Sequence, residues 1–174
     1  MPRFELLESA GLAANRGALA ELLMDAVNGG ASVGYLAPLS KADALDYWRD
    51  AESAVGAGSR LLLAAWDGES LAGTVQLLLA GMPNGAHRAE IAKLLVHSKA
   101  RRKGLGIALM HALEEEARRR HRTLLVLDTE QGTPAEALYR RLGYRELGAI
   151  PAYARGSDGE LHATVIFYKS LKYQ

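Results

Sequence analysis

The chain has 174 residues, enough for one domain with a substantial core and too few for two ordinary ones. Its 49% hydrophobic and 24% charged content describes a soluble globular protein, and a net charge of +1 from 21 basic and 20 acidic residues argues against a nucleic-acid partner. Absence of cysteine excludes disulfides, thiolate metal sites and a cysteine nucleophile, and five scattered histidines (His87, His97, His111, His121, His162) show no ligand spacing, so no metal is expected.

Glu5 and Glu8 stand where a signal peptide needs an apolar run, and no stretch approaches a membrane span, which predicts a cytoplasmic protein with no membrane partner. Residues 4–7 read as a short first strand. A helix is expected from Asn15, with Leu19, Leu22, Leu23, Ala26 and Val27 at helical spacing and an end at Gly29-Gly30. Residues 31–36 read as a loop or a short extended piece. Ser40 caps a second helix, with Asp43 in an approximate capping box and Leu45, Trp48 and Val55 on one face. Residues 60–66 and 71–79 form a hairpin across Asp67-Gly68, and Pro83-Asn84-Gly85 turns into the next strand.

That strand belongs to the most informative stretch of the chain. An apolar run from Ile91 to Val96 stops at a polar link, two closely spaced glycines follow, and a helical pattern begins at once: strand, tight turn, helix. Gly104 and Gly106 let a ligand approach the backbone, and the first N–H groups of the helix have no intrahelical partner. With the helix dipole behind them and Arg101, Arg102 and Lys103 alongside, these donors suit an anion, most simply a pyrophosphate. The stretch lacks the Gly-Lys-Ser/Thr ending of a P-loop, and Leu109 stands where a dinucleotide fingerprint needs its third glycine.

The helix carries Leu105, Ala108, Leu109, Ala112, Leu113 and Ala117 on one side, with His111, Glu114, Glu115 and Arg118 placed elsewhere. Residues 123–129 are apolar until Asp128, as expected of a central strand buried on both faces and parallel to its partner across the helix. Thr133-Pro134 opens another helix and Gly143 closes it. Residues 144–153 and 161–168 suggest a closing antiparallel hairpin around Ser157-Asp158-Gly159. Residues 1–174 are read as a single domain.

The Arg101-x-x-Gly104-x-Gly106 spacing resembles the coenzyme A pyrophosphate loop of the GNAT superfamily of N-acetyltransferases. Leu94-x-Val96 before it and Ala135-x-x-Leu138-Tyr139-x-x-Leu142-Gly143-Tyr144 after it extend the resemblance along nearly the whole chain. The resemblance implies an α/β fold of the α+β kind: a central mixed β-sheet flanked by helices, with a splayed pair of parallel strands binding acetyl-CoA. The coenzyme would lie along Leu94, Leu95, Val96, Arg101, Arg102, Lys103, Gly104, Leu105, Gly106, Ile107 and Ala108.

Within the superfamily, Gly29-Gly30-Ala31-Ser32-Val33-Gly34, Pro83-Asn84-Gly85, Arg88-Ala89-Glu90, Leu127-Asp128-Thr129-Glu130 and Asp158-Gly159-x-Leu161-His162 look like the tabtoxin-resistance type, which acetylates an amino-acid-like β-lactam toxin. Many members carry Asn where this chain has Gly132, so a side-chain contact to the pantetheine arm is missing there.

The resemblance implies transfer of an acetyl group to the amine of a small molecule. It places Tyr139 near the sulfur, where it is expected to protonate the departing thiolate unless it only packs at a helix–sheet contact, and it assigns amine binding and proton removal to Glu90 and Asp128. On residue chemistry alone, a carboxylate near the end of an apolar strand is costly to bury unless used or paired, and two close together push one pKa upward. Glu90 could instead pair with Arg88 or Lys93, and Asp128 could cap its strand. The oxyanion donor is expected from the backbone around Leu94 and Leu95, the Leu-Leu-Val side chains being core. Ser32 and Tyr35 lie in the segment that covers the acceptor side in this fold, with either a substrate role or simple packing. His162 reads as a strand residue, and Phe167 and Tyr168 as core or subunit contact. A homodimer is implied by the resemblance alone. Competing readings are a protein or peptide N-acetyltransferase, a non-catalytic acyl-CoA-binding sensor and a nucleic-acid-binding module.

Overall fold

The computed structural model describes residues 2–171, whose strands join into one seven-stranded sheet. The strands are β1 (Arg3–Leu6), β2 (Arg60–Asp67), β3 (Ser70–Leu79), β4 (Arg88–Val96), β5 (Leu124–Glu130), β6 (Arg145–Arg155) and β7 (Leu161–Ser170), in the order β1-β2-β3-β4-β5-β7-β6. Only β4 and β5 run parallel; the other neighbours are antiparallel. The expected mixed sheet and closing hairpin are both present, with β7 rather than β6 beside β5.

Helices α1 (Ser9–Asn28) and α2 (Lys41–Gly56) cover one face of the sheet, and α3 (Leu105–Arg119) and α4 (Pro134–Arg141) the other. The Ser40 hydroxyl accepts from the Asp43 N–H at 3.1 Å, as a capping box requires, and Ala44, Trp48 and Ala51 bury one stripe of α2. Leu45 and Val55, expected on that face, are only half-buried.

Helix α1 starts six residues before the expected Asn15. Gly11 and Gly17 weaken the local helical signal, yet Leu12 is buried against the rest of α1's apolar face, and this packing outweighs the glycine cost of about 1 kcal/mol each. Strand β5 departs from expectation on one face. Leu125 and Leu127 are buried under α3, but Leu124 and Val126 are half-buried and Asp128 is exposed, because α1 and α2 cover β2 to β4 and stop short of β5.

Glu114 is a further correction. It was expected on the polar side of α3, but it is buried beneath the helix, where the Lys169 ammonium donates to both its oxygens at 2.7 and 2.8 Å and the Tyr144 hydroxyl donates at 3.0 Å. Distant partners neutralise a charge that helical periodicity assigns to solvent.

Candidate active site

The site begins where the parallel pair comes apart. Arg88, Ala89 and Glu90 pair with Leu124, Leu125 and Val126, and then the ladder stops although β4 continues to Val96 and β5 to Glu130. The cause is local. Gln76 faces Ala92 and Thr74 faces Leu95, so both Lys93 and Leu94 oppose the single residue Val75: a β-bulge, with Lys93 at φ +50°. The bulge bends β4 away from β5 and leaves the β5 side of residues 92–96 without a ladder partner. These are the backbone groups around Leu94 and Leu95 expected to face a carbonyl oxygen.

The loop expected to hold the coenzyme follows directly. Gly104 caps α3 at φ +79° with open space around the position of a Cβ, a left-handed conformation that suits glycine. The first intrahelical bond runs from the Ala108 N–H to the Gly104 carbonyl at 3.1 Å, so the N–H groups of Leu105, Gly106 and Ile107 precede the ladder and point out of the helix end. Gly106 serves packing: a side chain there would start 3.3 Å from Leu138 of α4 and 3.8 Å from Val96. Leu95 and Leu105 are buried, and Leu94, Val96 and Ile107 pack against the core, so this segment offers a ligand mainly its backbone.

Arg102 and Lys103 are exposed beside this helix end. Arg101 turns back instead. Its Nε donates to the Val96 carbonyl at 3.0 Å and its guanidinium lies 3.7 Å from Asp25 of α1. Asp25 also accepts the Ser98 N–H and hydroxyl. Open backbone donors, exposed cations and a gap between strands fit an extended molecule with an anionic end, as acetyl-CoA is.

Tyr139 lies on the α3 side of the gap, 6% exposed, with ring centroids 5.8 Å from Tyr144 and 6.2 Å from Phe167. Burial, reinforced by the negative charge of Asp128, pushes its phenol well above the ordinary tyrosine range. Glu90 and Asp128 share the opposite face, since Glu90 is in register with Val126 and Asp128 follows two residues on. Both are exposed, so the argument from the cost of burying them does not apply. Thr164 of β7 donates its hydroxyl to Asp128 at 2.8 Å. Among the described residues, no basic side chain pairs with Glu90 within 4.0 Å, neither Arg88 nor Lys93.

Over this face runs the segment between α1 and α2. Val33 and Tyr35 turn inward, Tyr35 standing edge-on to Tyr47 at 5.9 Å, whereas Ser32 faces outward and is exposed. The segment is tied to the β6–β7 loop by the Ala37 N–H, which donates to the Ser157 hydroxyl at 2.9 Å. His162 contacts Asp158 at 2.9 Å and lies 3.7 Å from Glu130, at the far end of β7.

Two elements of this region escaped sequence reading. Asp25 stands between Met24 and Ala26 in the last turns of α1, and nothing beside it in the sequence announces its partner Ser98. Lys93 did carry a signal, a charge inside an apolar strand, but the bulge that turns it toward Tyr47 and the segment between α1 and α2 is a property of strand pairing.

A sequence model described as the acetyltransferase (GNAT) family matches residues 22–144, more than half of the chain. The fold is similar to that of a ribosomal-protein-alanine N-acetyltransferase from Brucella melitensis, with TM-score 0.77 and 22% identity over 97% of this chain and 99% of that one. It is also similar to a candidate acetyltransferase from Salmonella typhimurium solved with its cofactor acetyl-CoA, with TM-score 0.77 and 18% identity over 100% and 96% of the two chains. A candidate phosphinothricin N-acetyltransferase gives TM-score 0.80 and 19% identity over 99% and 100%. At these identities the structural likeness speaks to the fold. With a helix end open to an anion, a parted parallel pair and a family match across both, this chain belongs to the GNAT family of acetyl-CoA-dependent acetyltransferases.

Proposed function

We propose that the protein acetylates the amine of a small, amino-acid-like metabolite or toxin, by direct attack on acetyl-CoA in a ternary complex. The observation that carries this reading is the gap after Glu90–Val126, with Tyr139 on one face and Glu90 and Asp128 on the other. An amine of pKa ~10 arrives protonated and has no lone pair to attack with. Glu90 and Asp128 bind the ammonium and accept its proton. Backbone N–H groups near Leu94 and Leu95 take the charge that develops on the carbonyl oxygen. A phenol held above the tyrosine range is a weak full donor to a thiolate, whose thiol has pKa ~8.5. Tyr139 therefore acts first as a hydrogen-bond donor to the departing sulfur.

The Ala37–Ser157 hydrogen bond ties the covering segment to the β6–β7 loop, and this supports a small acceptor rather than a polypeptide amine. The likeness of the sequence to the tabtoxin-resistance type points the same way. For the implied homodimer we place the contact on the edge strand β6, where Leu147, Ile150 and Tyr153 are exposed.

The test is release of free CoA from acetyl-CoA across a panel of small amines, amino acids, a β-lactam amino acid and an alanine-terminated peptide, beside calorimetric titration with acetyl-CoA. Turnover with a small amine supports the proposal. Turnover with the peptide alone replaces it by a polypeptide acetyltransferase, and binding without turnover on any acceptor replaces it by a sensor.

A further inference from the structure

We infer that Lys93 receives a carboxylate of the acceptor, so that the substrate carries an acid and an amine on one small frame. The inference rests on the reading that the amine faces Glu90 and Asp128.

Lys93 interrupts the apolar run of β4 at φ +50°, a left-handed conformation that side chains other than glycine rarely adopt. The bulge directs it to the acceptor face. Its ammonium sits 5.2 Å from the Tyr47 ring centroid and 3.6 Å from where a side chain on Gly34 would begin, wedged between α2 and the covering segment. A surface lysine would extend its amine into water; this one is half-buried. Among the described residues no carboxylate lies within 4.0 Å of it, and Glu90 and Asp128 act on it only at longer range.

Its surroundings are short of acceptors. Gln76, fully buried and opposite Ala92, uses its Oε1 for the Tyr47 hydroxyl at 2.9 Å and for Arg60 at 3.1 Å. Among the described residues, the Gln76 Nε2 and the Arg60 Nε are buried donors without a partner. Two cations and an orphan amide donor on the α2 side, with two acids on the β5 side, form the complement of a zwitterion. Burial, together with the charge of Arg60, holds Lys93 below the ordinary lysine range, and a bound carboxylate would reverse that.

The protein labelled with 13C at lysine Cε is titrated with each of the L-amino acids and with the matching amides, the Lys93 signal being the one missing from Lys93→Gln. The expected result is that at least one amino acid moves the signal and raises its apparent pKa while its amide does not. No movement with any amino acid, or equal movement with the amide, overturns the inference. This readout needs no turnover. An enzyme that acetylates only small amines without an acid group would keep direct acetyl transfer to a small amine and lose this inference; a Lys93 response without turnover would do the opposite. For an amino acid that is acetylated, kcat/KM should exceed that of its amide by roughly tenfold to a hundredfold, and Lys93→Gln should bring the ratio to about one. A ratio that survives the substitution also overturns the inference.

Discussion

Asp25, near the end of α1, accepts both the N–H and the hydroxyl of Ser98, at 2.8 and 2.7 Å, and so fastens the helix on one face of the sheet to the turn that leads into the glycine loop before α3. Partial burial works against its charge, but the Ser98 hydrogen bonds, with His97 and Arg101 nearby, hold its carboxyl below the usual range. A depressed pKa means that this stabilisation is complete above the unfolded value of 3.8 and is lost as pH falls through the lower folded value. Asp25→Ala should loosen residues 97–104 and raise the acetyl-CoA Kd roughly tenfold, about 1–2 kcal/mol, with kcat largely kept. Calorimetry at neutral pH checks it; an unchanged Kd would show that the loop holds its shape alone.

Gly104→Glu should weaken acetyl-CoA binding more than a hundredfold, because it sets a negative charge at the open end of α3. The φ of +79° also strains any larger residue, so Gly104→Asn is the control. Asparagine tolerates that conformation and should keep most of the affinity. Equal loss in both variants would assign the effect to backbone strain rather than charge.

Tyr139→Phe should lower kcat roughly a hundredfold and leave the acetyl-CoA Kd nearly unchanged, since the ring packing stays and one donor goes. The pH profile carries a second check. A phenol whose pKa is raised stays protonated beyond its ordinary value near 10.0, so no alkaline loss of kcat below that pH belongs to Tyr139. If the alkaline limbs of wild type and Tyr139→Phe differ below pH ~10, its proposed protonation state is wrong.

Lys169→Met should destabilise the fold by about 3 kcal/mol, read from urea denaturation. It strips the buried Glu114 of its closest cation, and the cost falls at the low end of such losses because Arg118 stands 3.9 Å away. Adding Glu114→Gln should recover most of the loss. A double variant no better than the single one would place the cost in packing instead.

Much of this molecule was legible because its signals are local. Ser40 with Asp43, Asp67-Gly68, Thr133-Pro134 and the Gly104-x-Gly106 turn each declare an element boundary within a few residues, and the structure has a boundary at each. The misses concern partners distant in sequence. Nothing near Glu114 announces Lys169, and nothing in α1 announces Ser98. The start of α1 was obscured by Gly11, whose cost only tertiary packing overrules. Exposure of Asp128 depends on where α1 and α2 happen to stop, and the bulge at Lys93 on how β3 counts against β4.

The parting of β4 and β5 has a thermodynamic side. A sheet is ordinarily most rigid at its centre, yet here the middle strands are short of partners just where the coenzyme would lie. Amides of residues 92–96 that face β5 should exchange with solvent far faster than those of the β2–β3 hairpin, and slow when acetyl-CoA fills the gap. Ligand at a hundred times its Kd adds about 2.7 kcal/mol to a fold that binds it only when native. The lifetime of this enzyme against unfolding and proteolysis is thereby coupled to the supply of its own acetyl donor.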